Sequence, residues 1–370
     1  MRGARHLYVH LPFCSSRCGY CDFVTVVGRD GEHGRYVSAL LSELECERRL
    51  LAPELESVYL GGGTPSLTAP AELERLLAAL PPAAEVTVEA NPETVTSALA
   101  GLLARNRVDR VSIGAQTFHM HLLDVLERRA RPEDVRQAVH RLRDAGIGNI
   151  SLDLIYGIPG QEPAHLERDL AEALALEPEH VSAYELEAKP GTRFTHAHGA
   201  ELARQAESME TYFERVVETL TAAGYRWYET ANFCRAPERT GGRDLRARHN
   251  LGYWLGRDYL GLGVGAVSTI ENRRWRNAPS LPRYVASLEG GERPAREVEE
   301  LSPEVRATER VMLGLRLDEP LPLAGLEQAV DHAELRRLEE LGLAACGEGS
   351  LTLTPRGRFL GGGVTARLVA

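Results

Sequence analysis

The chain of 370 residues contains a single lysine, Lys189; arginine supplies the rest of its 43 basic residues. Positive charge is short altogether, with 53 acidic residues and a net charge of −10. That balance argues against a general nucleic-acid binder, whose phosphate contacts ask for a basic surplus. Anion recognition must then fall to guanidinium groups, planar forks suited to carboxylates. No run approaches the roughly 18 apolar residues of a membrane span, and MRGARHLYVH lacks the apolar stretch of a secretory signal. The expectation is a cytoplasmic protein with no membrane span, peripheral membrane contact remaining open. Thiols stay reduced in that compartment. Of only six cysteines, Cys46, Cys234 and Cys346 are scattered singly with no pairing pattern. Packing is the expected role of Cys46 and Cys346, whereas Cys234 lies near a motif discussed below. Length and an ordinary 43% hydrophobic content allow two or three domains.

The other three cysteines, Cys14, Cys18 and Cys21, stand together in LPFCSSRCGYCDF, directly after a predicted strand His6–Leu11. Their C-x3-C-x2-C spacing offers three thiolates and no fourth. A closed zinc site and a simple electron-transfer cluster each want four ligands. Three thiolates on one short loop leave one iron of a four-iron cluster open to a small molecule. A buried inert cysteine cluster or an incomplete zinc site are the plainer alternatives. The run resembles the signature of radical S-adenosylmethionine (SAM) enzymes, in which SAM chelates that open iron. There the cluster reduces the sulfonium to give a 5′-deoxyadenosyl radical, so the hard chemistry belongs to the cofactor.

Strand-like and helix-like segments alternate through the first half. Strands are expected at Leu7–Leu11, Ser57–Leu60, Glu85–Ala90, Arg110–Gly114, Ile150–Ile155 and Val181–Leu186. Helices are expected at Tyr36–Leu51, Ala71–Leu80, Ser97–Asn106, Pro132–Ala145 and Ala164–Leu176. Six such units predict an α/β fold with a parallel sheet under helices. Right-handed crossovers curl it into a partial (β/α)6-type barrel with ligands at the C-terminal strand ends. From about Leu301 a helix, helical AGLEQAV and AELRRLEELGL, a hairpin-like segment and a closing helix suggest a small winged-helix-like domain. The division expected is 1–190 for the barrel core, 191–295 for its completion and 296–370 for the C-terminal domain.

Polar candidates fall at those strand ends. Gly61, Gly62, Gly63 and Thr64 end the second strand in YLGGGTPS, where glycines let backbone approach a ligand. Glu89 ends the third in VEANPE, Gln116 the fourth in IGAQTF, and Asp153 lies in LDLIYGIPGQ on the fifth. Arg128 follows in VLERRARPED. Taken singly, each reads equally as a satisfied strand-end or cap residue.

YVHLPFC, CGYCDF, GGGTPS, VEANPE, SIGAQTF and DLIYGIPGQ together resemble the radical SAM family of oxygen-independent coproporphyrinogen III dehydrogenases and their haem-chaperone relatives, HemW. The likeness runs from Leu7 into the C-terminal domain. It implies that Tyr8, Tyr20, Gly63, Thr64, Glu89, Gln116, Arg128 and Asp153 bind SAM, some of them a second SAM molecule. Glu89 and Asp153 suit ribose hydroxyls or an ammonium, and Arg128 suits a carboxylate.

Three features favour the chaperone branch. Phe23 stands where the dehydrogenases usually carry a further cysteine, only six residues precede Leu7, and RHNLGYW matches the chaperones' HNxxYW motif at His249, Asn250, Tyr253 and Trp254. His249 suits axial ligation of haem iron, Tyr253 and Trp254 the face of a porphyrin. Arg235, Arg239, Arg243, Arg246 and Arg248 offer guanidiniums to propionates, and Cys234 is a second soft ligand of lesser claim. The plainer reading is a solvated loop with Trp254 in the core and His249 as a cap. YLGLGVGAVS fits a dinucleotide fingerprint only superficially, since no helix follows; its glycines are expected to pass close to SAM or the cluster. Val267 stands where HemW-like proteins often have histidine.

The resemblance thus implies a haem chaperone carrying a [4Fe-4S] cluster and SAM, with haem as cargo and a haem-acceptor protein as partner. The other reading is a coproporphyrinogen III dehydrogenase, which would also need an electron donor such as a flavodoxin or ferredoxin.

Overall fold

The computed structural model describes residues 3–189 and 192–369. In β1 (His6–Leu11), Leu7, Val9 and Leu11 are fully buried in the core with Tyr36, Val37 and Leu40 of α1 (His33–Glu47). Successive strand side chains alternate faces, so His6, Tyr8 and His10 turn the other way, into the barrel. A short parallel pair, β2 (Phe13–Cys14) and β3 (Val26–Val27), brackets the cysteine loop.

The same alternation recurs in β4 (Ser57–Gly62), β5 (Val86–Ala90), β6 (Arg110–Gln116), β7 (Ile150–Tyr156) and β8 (His180–Glu185). Their apolar residues meet helices; Tyr59, Glu89, Ser112, Asp153 and Ser182 line the lumen. All six strands run parallel in the order β1, β4, β5, β6, β7, β8. Parallel neighbours require crossovers; α1, α2 (Pro70–Ala79), α3 (Ser97–Arg105), α5 (Pro132–Asp144) and α6 (Pro163–Ala175) provide them, with short α4 (Met120–Val125) before α5. The expected strands and helices therefore stand, within a few residues at their ends.

After α7 (Arg193–Gln205) and α8 (Met209–Ala222), β9 (Tyr225–Trp227) and β10 (Asn232–Arg235) add antiparallel strands beyond β8. Helix α9 (Arg248–Trp254) leads to β11 (Tyr259–Leu262), parallel to β1 on the other flank. Strands β12 (Val267–Ile270), β13 (Arg273–Asn277) and, past α10 (Leu281–Glu289), β14 (Arg296–Glu300) extend it. The twelve-stranded sheet ends at β14 and β9, which do not pair, so the barrel is partly open. One hydrophobic core runs from Leu7 to Leu288. The expected boundary at 190/191 lies outside the described residues.

The C-terminal unit begins later than 296, because Arg296–Glu300 is paired along its length with β13. It comprises α11 (Pro303–Gly314), β15 (Leu321–Pro322), α12 (His332–Glu340), the hairpin β16 (Ala344–Gly347) and β17 (Ser350–Leu353), α13 (Pro355–Phe359) and α14 (Gly361–Leu368). Val311, Leu335, Leu351 and Leu368 form its separate core. AGLEQAV is no helix but a single 3-10 turn, Glu327–Ala329. Gly325 there takes φ +80°, and Asp331 caps α12 by accepting from the Ala333 and Glu334 amides. Two forked ion pairs join the unit to the sheet: Arg226 with Asp318 at 2.7 and 2.9 Å, and Arg274 with Glu309 at 2.8 and 2.7 Å.

Candidate functional site

The chain leaves β1 through Pro12 into the cysteine loop, which is pinned on both sides. Val26 N donates to Pro12 O at 2.8 Å, Thr64 N to Phe13 O at 2.8 Å, and the His10 Nε2 lies 2.8 Å from Val24 O. The GGG run makes that approach possible. A Cβ on Gly63 would stand 2.6 Å from the Pro12 carbonyl carbon, and one on Gly62, at φ +110°, 2.4 Å from the His10 ring. Cys14, Cys18 and Cys21 are half-buried at this end of the barrel. Burial pushes the Cys14 and Cys21 thiols up. Among the described residues no three His, Cys, Asp or Glu side chains converge as ligands of one metal ion. A four-iron cube, bound at separate irons, does not ask them to.

Below the thiols lies a cavity of about 600 Å³, within the range of small-ligand sites. Tyr20, Gly63, Thr64, Glu89, Gln116, Arg128 and Asp153 all line it beside the three cysteines. Glu89 accepts from the Tyr59 hydroxyl at 2.7 Å and the Gly62 amide at 3.0 Å. Burial, reinforced by Asp153, pushes its carboxyl up to about 7. Asp153 accepts from Ser112 at 2.9 Å and is likewise raised by burial. Gln116 sits at φ +64° where the β6–β7 register shifts, which swings it to the rim. Arg128 Nη2 donates to Asn91 Oδ1 at 2.8 Å and Gly114 O at 3.1 Å, while Nη1 lies 3.8 Å from Cys18 Sγ. A Cβ on Gly114 would meet that guanidinium at 3.2 Å. Arg128 makes no ion pair with a carboxylate among the described residues. A half-buried cation without a protein anion suits an anionic ligand.

Residues 8–173 match the model of the Radical SAM superfamily, and 301–360 that of the HemN C-terminal domain. A protein of Mycobacterium tuberculosis named heme chaperone HemW is 37% identical, the alignment covering 98% of this chain and 94% of that protein. The HemW of Bacillus subtilis is 32% identical over 96% of each. The chain belongs to the HemW family. In fold it is similar to the coproporphyrinogen III oxidase HemN of Escherichia coli, with a TM-score of 0.81 at 22% identity over 99% of this chain and 90% of that one.

Radical SAM membership implies a [4Fe-4S] cluster and SAM, and the residues fit both. Three thiols would supply the anchoring ligands; the glycine cradle and Arg128, which has no ion-pair partner among the described residues, suit the amino-acid part of SAM. When bound, the pair supplies one-electron cleavage of a sulfonium. Around it Glu89 and Asp153 would offer acceptors and Arg128 a positive charge.

The HemW motif lies elsewhere. Tyr8 is not on the cavity wall; it stacks on Tyr59 with its hydroxyl 3.0 Å from His10 Nδ1. His249 is 2% exposed at the opposite end of the strands, with Nδ1 2.8 Å from Ser57 Oγ and Nε2 2.8 Å from the Tyr253 hydroxyl. Burial holds its imidazole down at about 3. Asn250 alone of the motif lines the cavity. Trp254 faces the C-terminal unit, under the Arg316 guanidinium at 4.3 Å. In this conformation neither ring nitrogen of His249 is free for iron.

Other expectations are corrected. Arg235 and Arg239 donate to backbone carbonyls and Arg246 to Asp244 and Glu319, so they form no open anion patch. Cys234 is buried beside Tyr228 and Leu245, away from the cavity, its thiol pushed up to about 12. Cys46 and Cys346 are exposed rather than packed. Gly263 and Gly265 do not line the cavity; they admit Tyr36 and Val24, the latter three residues past Cys21. Sequence reasoning missed Asn91, Arg110, Ser112 and Ser182, all lining the cavity. Their signal was the strand alternation, which places polar residues two apart inside the barrel.

Proposed function

We propose that this chain binds haem and passes it to an acceptor protein in the cytoplasm, holding a [4Fe-4S] cluster on Cys14, Cys18 and Cys21 and one SAM in the cavity. The full-length likeness to proteins named heme chaperone HemW carries this reading. The unpaired Arg128 beside Cys18 supports the SAM assignment. We assign haem to the HNLGYW segment, with His249 as iron ligand once α9 has moved from the barrel floor. Asn250, Tyr253 and Trp254 would then flank the porphyrin. A flavodoxin or ferredoxin donor is needed only for turnover of the cluster.

The second reading, oxidative decarboxylation of coproporphyrinogen III, is favoured by the cavity under the thiols. Anaerobically reconstituted protein separates the two. Stoichiometric haem uptake, lost in His249→Ala, without protoporphyrinogen formation from coproporphyrinogen III, SAM and a reductant, supports the chaperone. Product formation without haem uptake reverses the order.

A further inference from the structure

Four polar contacts join two of the cluster cysteines through side chains. Arg128 Nη2 donates to Asn91 Oδ1 at 2.8 Å, Asn91 Nδ2 to Thr64 Oγ1 at 3.3 Å, and Thr64 Oγ1 lies 3.5 Å from Cys14 Sγ. Arg128 Nη1 is 3.8 Å from Cys18 Sγ. The direction of this circuit is not free. A guanidinium only donates, so the oxygen of the Asn91 amide must face Arg128 and its NH2 must face Thr64. Thr64 Oγ1 therefore accepts from Asn91, and its own proton is left for Cys14. Each end of the circuit thus presents a donor to a sulfur, Arg128 Nη1 to Cys18 and the Thr64 hydroxyl to Cys14.

We propose that Asn91 is a positioning residue that aims the Thr64 hydroxyl at Cys14 and steadies Arg128 beside Cys18, raising the reduction potential of the cluster. Hydrogen bonds to ligand sulfurs stabilise the more negative, reduced cluster and so raise its potential. Because one guanidinium sits at the head of both branches, an anionic ligand on Arg128 is felt at both sulfurs. Asn91 thus couples ligand binding at Arg128 to the redox state of the cluster without being one of its ligands. This rests on the cluster assignment above.

The test is an EPR-monitored redox titration of anaerobically reconstituted wild type, Asn91→Leu, Thr64→Val and the double variant, each with its iron and sulfide content measured. Both single variants should retain a cluster at a lower potential. A tenfold smaller reduced-to-oxidised ratio at fixed potential corresponds to about 59 mV for one electron. The double variant should match Asn91→Leu, since loss of Asn91 already takes the Thr64 hydroxyl off Cys14 as well as loosening Arg128. Unchanged potential in Asn91→Leu with a full cluster, or shifts that simply add, overturns the proposal. Should Asn91→Leu lose its cluster, Thr64→Val with wild-type potential does the same. Absence of any cluster in wild type instead overturns the assignment on which it rests.

Discussion

His249 Nε2 lies 2.8 Å from the hydroxyl of Tyr253, one helical turn ahead on α9. The bond occupies one imidazole nitrogen, and the Ser57 hydroxyl holds the other. On the haem assignment proposed above, the motif thus contains its own competitor for the metal.

Tyr253→Phe removes that competitor. Haem affinity should rise about two- to tenfold, matching the roughly 0.5–1.5 kcal/mol net worth of a hydrogen bond. Denaturant midpoints should fall by a similar free energy. Haem titration by absorbance, run beside urea melts, reads both; unchanged affinity argues that His249 is not the ligand.

Acid should loosen the barrel floor. Burial holds His249 at about 3 and His6 at about 4, whereas both titrate near 6.5 in an unfolded chain. Folded pKa values below the unfolded ones mean that stability is complete above about 6.5 and falls as pH drops from there toward 4 and 3. The slope is about 1.4 kcal/mol per pH unit for each histidine. Urea unfolding of apo protein at pH 7.5, 6 and 5 should show this loss, and His249→Gln should flatten it. Equal slopes would refute a neutral buried His249.

Glu89 predicts a pH dependence at the other end. Burial pushes its carboxyl up to about 7, and on the SAM assignment proposed above pairing with the SAM ammonium calls for the ionised form. Below that pH the proton must be lost on binding, so affinity should fall up to tenfold per unit. Equilibrium dialysis of SAM from pH 8 to 5.5 should show this decline in wild type and a flat, weaker profile in Glu89→Gln.

Much of this was legible from spacing. The cysteine run and the six strand–helix units are local patterns, and local patterns survive into the fold. What could not be read was which groups partner which across the sheet. Arg246 looked free beside Arg243 and Arg248, yet it meets Glu319, 73 positions away. His249 looked available for iron because Ser57 is 192 residues distant in sequence. Gly263 and Gly265 signalled close approach correctly but not what approaches. Asn91 was in view within VEANPE, but its role depends on Arg128, 37 residues on.

Lys189, half exposed, stands on the rim of the cavity facing Asp22 of the cysteine loop. It carries the only ε-amine of the chain. An amine-directed fluorophore will therefore tag a side chain at the entrance with no engineering, and its emission becomes a gauge of what goes in and comes out.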